Sequence, residues 1–305
     1  MKKQLRSAVL LLLIAAAIWL LLDSSVRDAV GAGLALCARS VIPAQFPFMV
    51  VSSMLMSMGL GELLSKPLGA LMALYGIDGA GASAVVLGFL GGYPTGARTA
   101  GELYRDRLLT REETLRLLTF CNNANPAFLI TVLGLGIFGS VRAGLWLWLI
   151  HVAAALITGL LAGRPKKNTG AVPGNHRRPA FKAARLPDAF VGAVQSALRG
   201  ILNVCAFVVI FCVLTLPCQS IGGVPGAVLS GLLELFSTLP AIPASPTGFI
   251  LAAGLSGWGG LSVLCQTAAL LRDTDLSIGQ CAAGKAVHGA LSSLLAALCS
   301  GFVFG

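Results

Sequence analysis

The chain has 305 residues, of which 56% are hydrophobic and only 11% charged, whereas soluble domains carry roughly 25% charged residues. With a mean hydropathy of +0.85, this excludes a soluble globular fold and points to an all-α integral membrane protein, a polytopic helical bundle. The net charge of +10 comes from 22 basic and 12 acidic residues, and its placement excludes nucleic acid as a partner: Arg164, Lys166, Lys167, Arg177, Arg178, Lys182 and Arg185 crowd into 163–187, with no acid and with Phe181 alone for bases to stack on.

Residues 1–28 read as an N-terminal anchor helix and turn. Lys2, Lys3 and Arg6 precede an apolar run over 7–22 that nearly spans a hydrocarbon core, and no small-residue cleavage site follows it. A polar turn is expected over 23–28. Apolar helix follows over 29–42, is interrupted by Pro43 and Pro47, and continues over 46–58. The stretch 63–75 is too short to span. Residues 80–90 form an apolar half-helix that stops at Gly91-Gly92-Tyr93-Pro94, and 95–104 form a second half. The mixed charges of 105–116 must reach water or headgroups. A second break, Asn122-Asn123-Ala124-Asn125-Pro126, separates 117–121 from 127–138, and 144–161 is a clean span. The basic stretch 163–187 has the pattern of a cytoplasmic linker, and the basic N-terminus is likewise expected inside.

The rest of the chain follows a similar plan. A long helical region covers 189–217, and a short amphipathic stretch covers 224–239. A half-helix over 248–255 ends in Ser256-Gly257-Trp258-Gly259-Gly260-Leu261-Ser262, and 263–271 resume. The charged turn Arg272-Asp273-Thr274-Asp275 leads to 278–287, which carry Lys285. His288-Gly289 interrupt the pattern before 290–304.

The two halves match in order. Residues 42–52 align with 201–211, 88–96 with 254–262, Arg105-Asp106 with Arg272-Asp273, and Cys121-Asn122-Asn123 with His288-Gly289-Ala290. So 29–162 and 188–305 read as two repeats joined by the linker. They are expected to be inverted, because the first begins outside and the second inside. Inverted repeats with discontinuous helices are a pattern of secondary transporters.

A broken helix leaves free N–H groups at the start of its second half, with the positive end of the dipole facing the break, which suits an anion. The candidate solute-binding residues are Gly92, Tyr93, Pro94, Thr95, Gly96 and Arg98 at the first break. Asn122, Asn123 and Asn125 serve the second, with Asn125 as N-cap and Pro126 as first helical residue. Ser256, Gly257, Gly259, Gly260, Ser262 and Gln266 serve the third, with Ser262 as N-cap. Lys285 and His288 complete the set. Arg98 and Lys285 supply positive charge; the competing readings are an Arg98 that snorkels toward Glu102 and a Lys285 that pairs with Asp273 or Asp275. His288 has the chemistry of a proton relay. Eight cysteines without a CxxC pair argue against metal or disulfide roles. No cofactor is indicated, and the lack of a Walker loop or a nucleophile–His–acid set speaks against an enzyme. The expected partners are a small anionic solute and the lipid bilayer. No buried acid is evident in the motifs, so the coupling ion stays open, as does a homo-oligomeric state.

"GGYPTGARTAGELY" followed by "LLTFCNNANPAFLITVLG" resembles the nucleoside-recognition, or Gate, domain proteins, and among them the sporulation integral membrane proteins of the YlbJ type. Tyr93-Pro94, Gly96-Ala97-Arg98, Cys121-Asn122-Asn123, Pro126 and Phe128 fit that pattern. "SGWGGLSVLCQT" resembles the second-half motif. "PAQFPF" is similar to the family's Pro-x-Leu-Phe-Pro-Phe opening, from which Ala44-Gln45 depart. The resemblance covers 43–138 well and 192–300 more loosely, and leaves out the basic linker. It implies a role in endospore formation in the outer forespore membrane, moving dipicolinate, a small aromatic dicarboxylate. Gate domains also occur in nucleoside transporters, so a nucleoside or nucleobase carrier is the alternative. A non-transporting membrane scaffold for spore assembly is the alternative of another class.

Overall fold

The computed structural model describes residues 2–163 and 185–304, so most of the basic linker lies outside the described residues. Every regular element among them is helical. Among the described residues five stretches are long and apolar enough to cross a membrane: Ser24–Ser57, Val141–Leu161, Leu186–Leu214, Pro246–Leu271 and Ile278–Phe304. The chain is a polytopic helical membrane protein.

Helix α1 (Lys2–Leu22) turns Leu10, Leu11, Leu12 and Leu13 outward, as a helix standing alone in lipid would. Asp23 ends it and starts the next helix. Its carboxylate accepts the Trp19 indole N–H at 2.8 Å and the Ser25 amide at 2.9 Å. Helix α2 (Ser24–Leu36) therefore begins where the sequence suggested a polar turn. It runs through a wider π-type turn, Cys37–Val41, into α3 (Ile42–Ser57). Pro43 and Pro47 both lie within α3; neither can donate to the preceding turn, and the wide turn just upstream takes up the mismatch. Two short helices, α4 (Leu60–Ser65) and α5 (Gly69–Leu74), follow, neither long enough to span.

The first expected break is present. Helix α6 (Ala82–Gly91) stops at Gly92, whose φ of 77° only glycine adopts readily, and α7 (Thr95–Arg105) resumes after Tyr93-Pro94. Helix α8 (Arg111–Leu117) starts from a capping box formed by Thr110 and Glu113. After the second break a π-type helix covers Phe128–Ile137, and Ser140 caps α9 (Val141–Leu161).

Past the linker, α10 (Leu186–Leu214) is a single long helix, followed by α11 (Leu216–Gln219), α12 (Gly223–Leu233) and α13 (Leu235–Thr238). Helices α14 (Pro246–Trp258) and α15 (Leu261–Leu271) make one crossing, broken at Gly259-Gly260 with φ of 84° and 90°. Helix α16 (Ile278–Phe304) closes the described chain. It passes through His288-Gly289 without interruption, contrary to the sequence expectation. Gly289 is there for contact: a methyl group at Gly257 of α14 would lie 2.8 Å from its Cα. Lipid gives no hydrophobic drive for helix association, so close backbone approach through small residues holds α14 to α16. The order half-helix, break, half-helix, charged turn thus occurs twice, but the asparagine break has no counterpart in α16.

Among the described residues two large apolar cores result, beside a small cluster of Val26, Ala29 and Val213. One gathers Met49, Phe128, Leu147, Val208 and Phe249; the other gathers Tyr75, Leu103, Leu117, Phe120 and Cys281. Each break changes core within a few residues: Tyr93 belongs to the first and Ala97 to the second, Ala124 to the first and Cys121 to the second, Val263 to the first and Leu264 to the second. The breaks therefore lie on the boundary between the cores.

Candidate functional site

Lys285 is the centre of that boundary. It is 1% exposed, and its Nζ donates to the Asn122 carbonyl at 2.9 Å. The same Nζ stands 5.6 Å from the centroid of the Tyr93 ring. A methyl group at Gly259 would lie 3.6 Å from Lys285 Cε. One buried ammonium thus meets all three breaks. Burying a charge is costly without a partner, and here a single carbonyl serves it. The competing pairing with Asp273 or Asp275 does not form: Asp275 pairs with Arg111 at 3.1 Å, and Arg272 sits 3.5 Å from Asp273.

The second break is held as its residues dictate. Asn125 Oδ1 accepts the Phe128 amide at 2.7 Å, which makes Asn125 the N-cap with Pro126 as the first helical residue. Its Nδ2 donates to the Ala44 carbonyl at 3.0 Å, tying the break to α3. Asn122 Nδ2 donates to Thr267 of α15 at 3.0 Å, and Asn123 Nδ2 to the Phe120 carbonyl at 2.8 Å. Gly88 and Gly96 clamp the same loop. A methyl group on either would fall within 2 Å of the Cys121 carbonyl oxygen, at 1.8 Å and 1.9 Å. The glycine spacing across the first break therefore exists to receive the backbone of the second.

His288 lies one turn beyond Lys285, fully buried against His151 of α9, with ring centroids 4.4 Å apart. The Ala124 amide donates to His151 Nε2 at 3.0 Å, so that nitrogen is a bare acceptor and the ring hydrogen sits on Nδ1. His288 Nε2 stands 3.0 Å from the His151 carbonyl, which only accepts, so His288 carries its hydrogen on Nε2. Each imidazole keeps Nδ1 buried without a protein partner.

Many polar atoms here share that condition. Tyr93 Oη, Thr95 Oγ1, Asn122 Oδ1, Asn123 Oδ1, Ser256 Oγ, Ser262 Oγ and Gln266 Oε1 are all buried without a hydrogen-bond partner in the chain. Each such atom costs about 1–3 kcal/mol. They all belong to residues of the three breaks, and two of those residues, Tyr93 and Asn122, adjoin the Lys285 ammonium.

Other candidates fall elsewhere. Ser262 does not cap α15; Gly260 holds the cap position and Ser262 sits inside the first turn, because positive φ at two successive residues needs glycine. Gly257 serves the α14–α16 contact. Arg98 is engaged outside the polar centre: its Nε lies 3.2 Å from Glu102 Oε1, and its guanidinium reaches the carbonyl and hydroxyl of Ser196 in α10. With Met49, Ser52, Thr99 and the first-break residue Thr95 it lines a small recess of about 30 Å³. The motifs read from the sequence include neither His151, whose surroundings do not form a metal motif, nor Thr267. His151 was detectable, as an ionisable residue within an otherwise apolar span.

The arrangement defines an integral membrane protein with discontinuous helices around a buried polar centre. Residues 38–141 match the family model described as nucleoside recognition, Gate. The chain is also similar to the sporulation integral membrane protein YlbJ of Bacillus subtilis, with 26% identity over 285 residues, covering 80% of this chain and 70% of that protein. The resemblance read from the motifs is thus borne out. No solved structure gives a significant match.

Proposed function

We propose that this chain is a carrier rather than an enzyme, and that it moves a small organic anion across the membrane, with dipicolinate during endospore formation as the favoured solute. The observation that carries this reading is Lys285, a buried ammonium facing three helix breaks. The starts of α7, of the helix after Asn125 and of α15 add the positive ends of three dipoles. The similarity to a sporulation membrane protein supports the setting. On this reading the protein sits in the outer forespore membrane, with its N-terminus and the 163–187 linker on the cytoplasmic side.

A nucleoside or nucleobase carrier is the second reading, favoured by the description of the family model that matches 38–141. Uptake of labelled dipicolinate and labelled uridine into proteoliposomes holding the full chain separates the two. Dipicolinate entry resistant to excess uridine supports the anion carrier. Uridine entry alone moves the assignment to nucleosides. Entry of neither, in a folded preparation, supports a membrane scaffold.

A further inference from the structure

The sequence offered no acid to carry a coupling ion, yet the fold buries one. Glu234, between α12 and α13, is 0% exposed. Among the described residues, Glu234 and Lys285 are the fully buried side chains of formal charge, and neither takes part in an ion pair. Glu234 Oε2 accepts the Ser237 amide, and the amides of Leu235 and Phe236 also face the carboxylate. Its Oε1 is buried without a partner.

Glu234 adjoins the site just described. A methyl group at Gly260 would lie 3.3 Å from its Cα, which places it against the third break. Its charge also acts on Tyr93 at the first break. The other titratable groups within its reach are Cys37 at the end of α2 and Cys212 of α10. Helices α12 and α14 have no titratable side chain, α15 has only Cys265 and α11 only Cys218; on α2 and α10, Cys205 is half-buried, while Arg27, Asp28, Asp188 and Arg199 are exposed. Tyr93 is therefore within electrostatic reach of both a buried ammonium and a buried carboxyl. An ionised Glu234 repels the anion that Lys285 attracts; a protonated one does not. The amides crowding the carboxylate turn their positive ends toward the space a metal cation would need, whereas a proton on Oε1 needs no such space.

Resting on the carrier reading, we propose that Glu234 is the coupling-proton site. One proton and one anion bind together. The proton comes onto Oε1 from the side to which the site is open and leaves to the other side with the solute. By linkage, each ligand tightens the other.

The test is dipicolinate binding to the purified full chain, followed from about pH 8 to about pH 6. Wild-type affinity is expected to rise as pH falls, by up to about tenfold per pH unit for one linked proton. Glu234→Gln, permanently uncharged, is expected to bind without that slope and as tightly as the wild type at the acid end. Glu234→Asp keeps a titratable group and is expected to keep the slope, displaced along the pH axis; if Glu234→Gln does not fold, that displacement supports the proposal and an unshifted slope overturns it. A slope unchanged in Glu234→Gln overturns the proposal and leaves the carrier reading standing. Affinity that follows sodium at fixed pH, and loses that dependence in Glu234→Gln, overturns the proton assignment. Absence of wild-type binding overturns the carrier reading and this proposal with it.

Discussion

Replacing Lys285 by methionine separates a binding role from a structural one. Methionine fills nearly the same volume but has no charge and no donor. For an anion carboxylate at ~4 Å from the ammonium, with an effective dielectric of ~20, the lost attraction is about 4 kcal/mol. Incomplete desolvation and the remaining helix dipoles reduce this, so a loss of about 2–4 kcal/mol is expected, or roughly 30- to 700-fold in affinity. Stability should move differently. The substitution leaves the Asn122 carbonyl without its 2.9 Å donor, at about 1–3 kcal/mol, but it also relieves the cost of burying a charge. The melting temperature in detergent is therefore expected to hold or rise while dipicolinate binding collapses. Calorimetric titration beside a thermal melt measures both. Binding within about threefold of wild type would refute the assignment of Lys285, and joint loss of binding and folding would make the lysine structural.

Arg98→Gln is expected to have little effect on solute uptake, because Glu102 and Ser196 already hold the Arg98 guanidinium. Its ion pair is 25% and 44% exposed, so its contribution to stability is under about 1 kcal/mol; abolished uptake in a stable variant would return Arg98 to the site. Gly96→Ala is expected to lower the melting temperature sharply, since the new methyl meets the Cys121 carbonyl oxygen at 1.9 Å and Gly88 Cα at 3.0 Å. Both neighbours are backbone, so the cost falls at the upper end of about 1–3 kcal/mol, and an unchanged melt would contradict the clamp. At the charged turn after α15, the Tyr104 hydroxyl, helped by Arg111, holds the Asp275 carboxyl below the ordinary 3.8. That contribution to stability is present above 3.8 and is lost as pH falls through the folded value. The gap in melting temperature between wild type and Asp275→Asn should accordingly narrow on acidification from about pH 5 to about pH 3; a constant gap would remove the interaction from the stability profile.

Much of the architecture was legible because its signals are local. Gly92 and Gly259-Gly260 stop helices through their own φ, and Asn125-Pro126 restart one through a cap three residues long. Two readings of helix continuity failed. His288-Gly289 looks like an interruption, yet the glycine fits a helix packed against α14. Asp23 looks like the start of a turn, yet its carboxylate accepts the Ser25 amide at a helix start.

Sequence by itself determined the membrane class, the positions of the three breaks and the presence of Lys285 and His288 among apolar residues. Only the tertiary structure decided which charges meet the breaks. Arg98 and Lys285 look alike in a hydropathy profile, but one leans one turn along its own helix to Glu102, while the other reaches the Asn122 carbonyl from α16. Glu234 and His151 likewise join the polar centre through contacts between distant segments. Burial in a membrane bundle depends on which faces other helices cover, and residues apolar on every side of a helix do not record that.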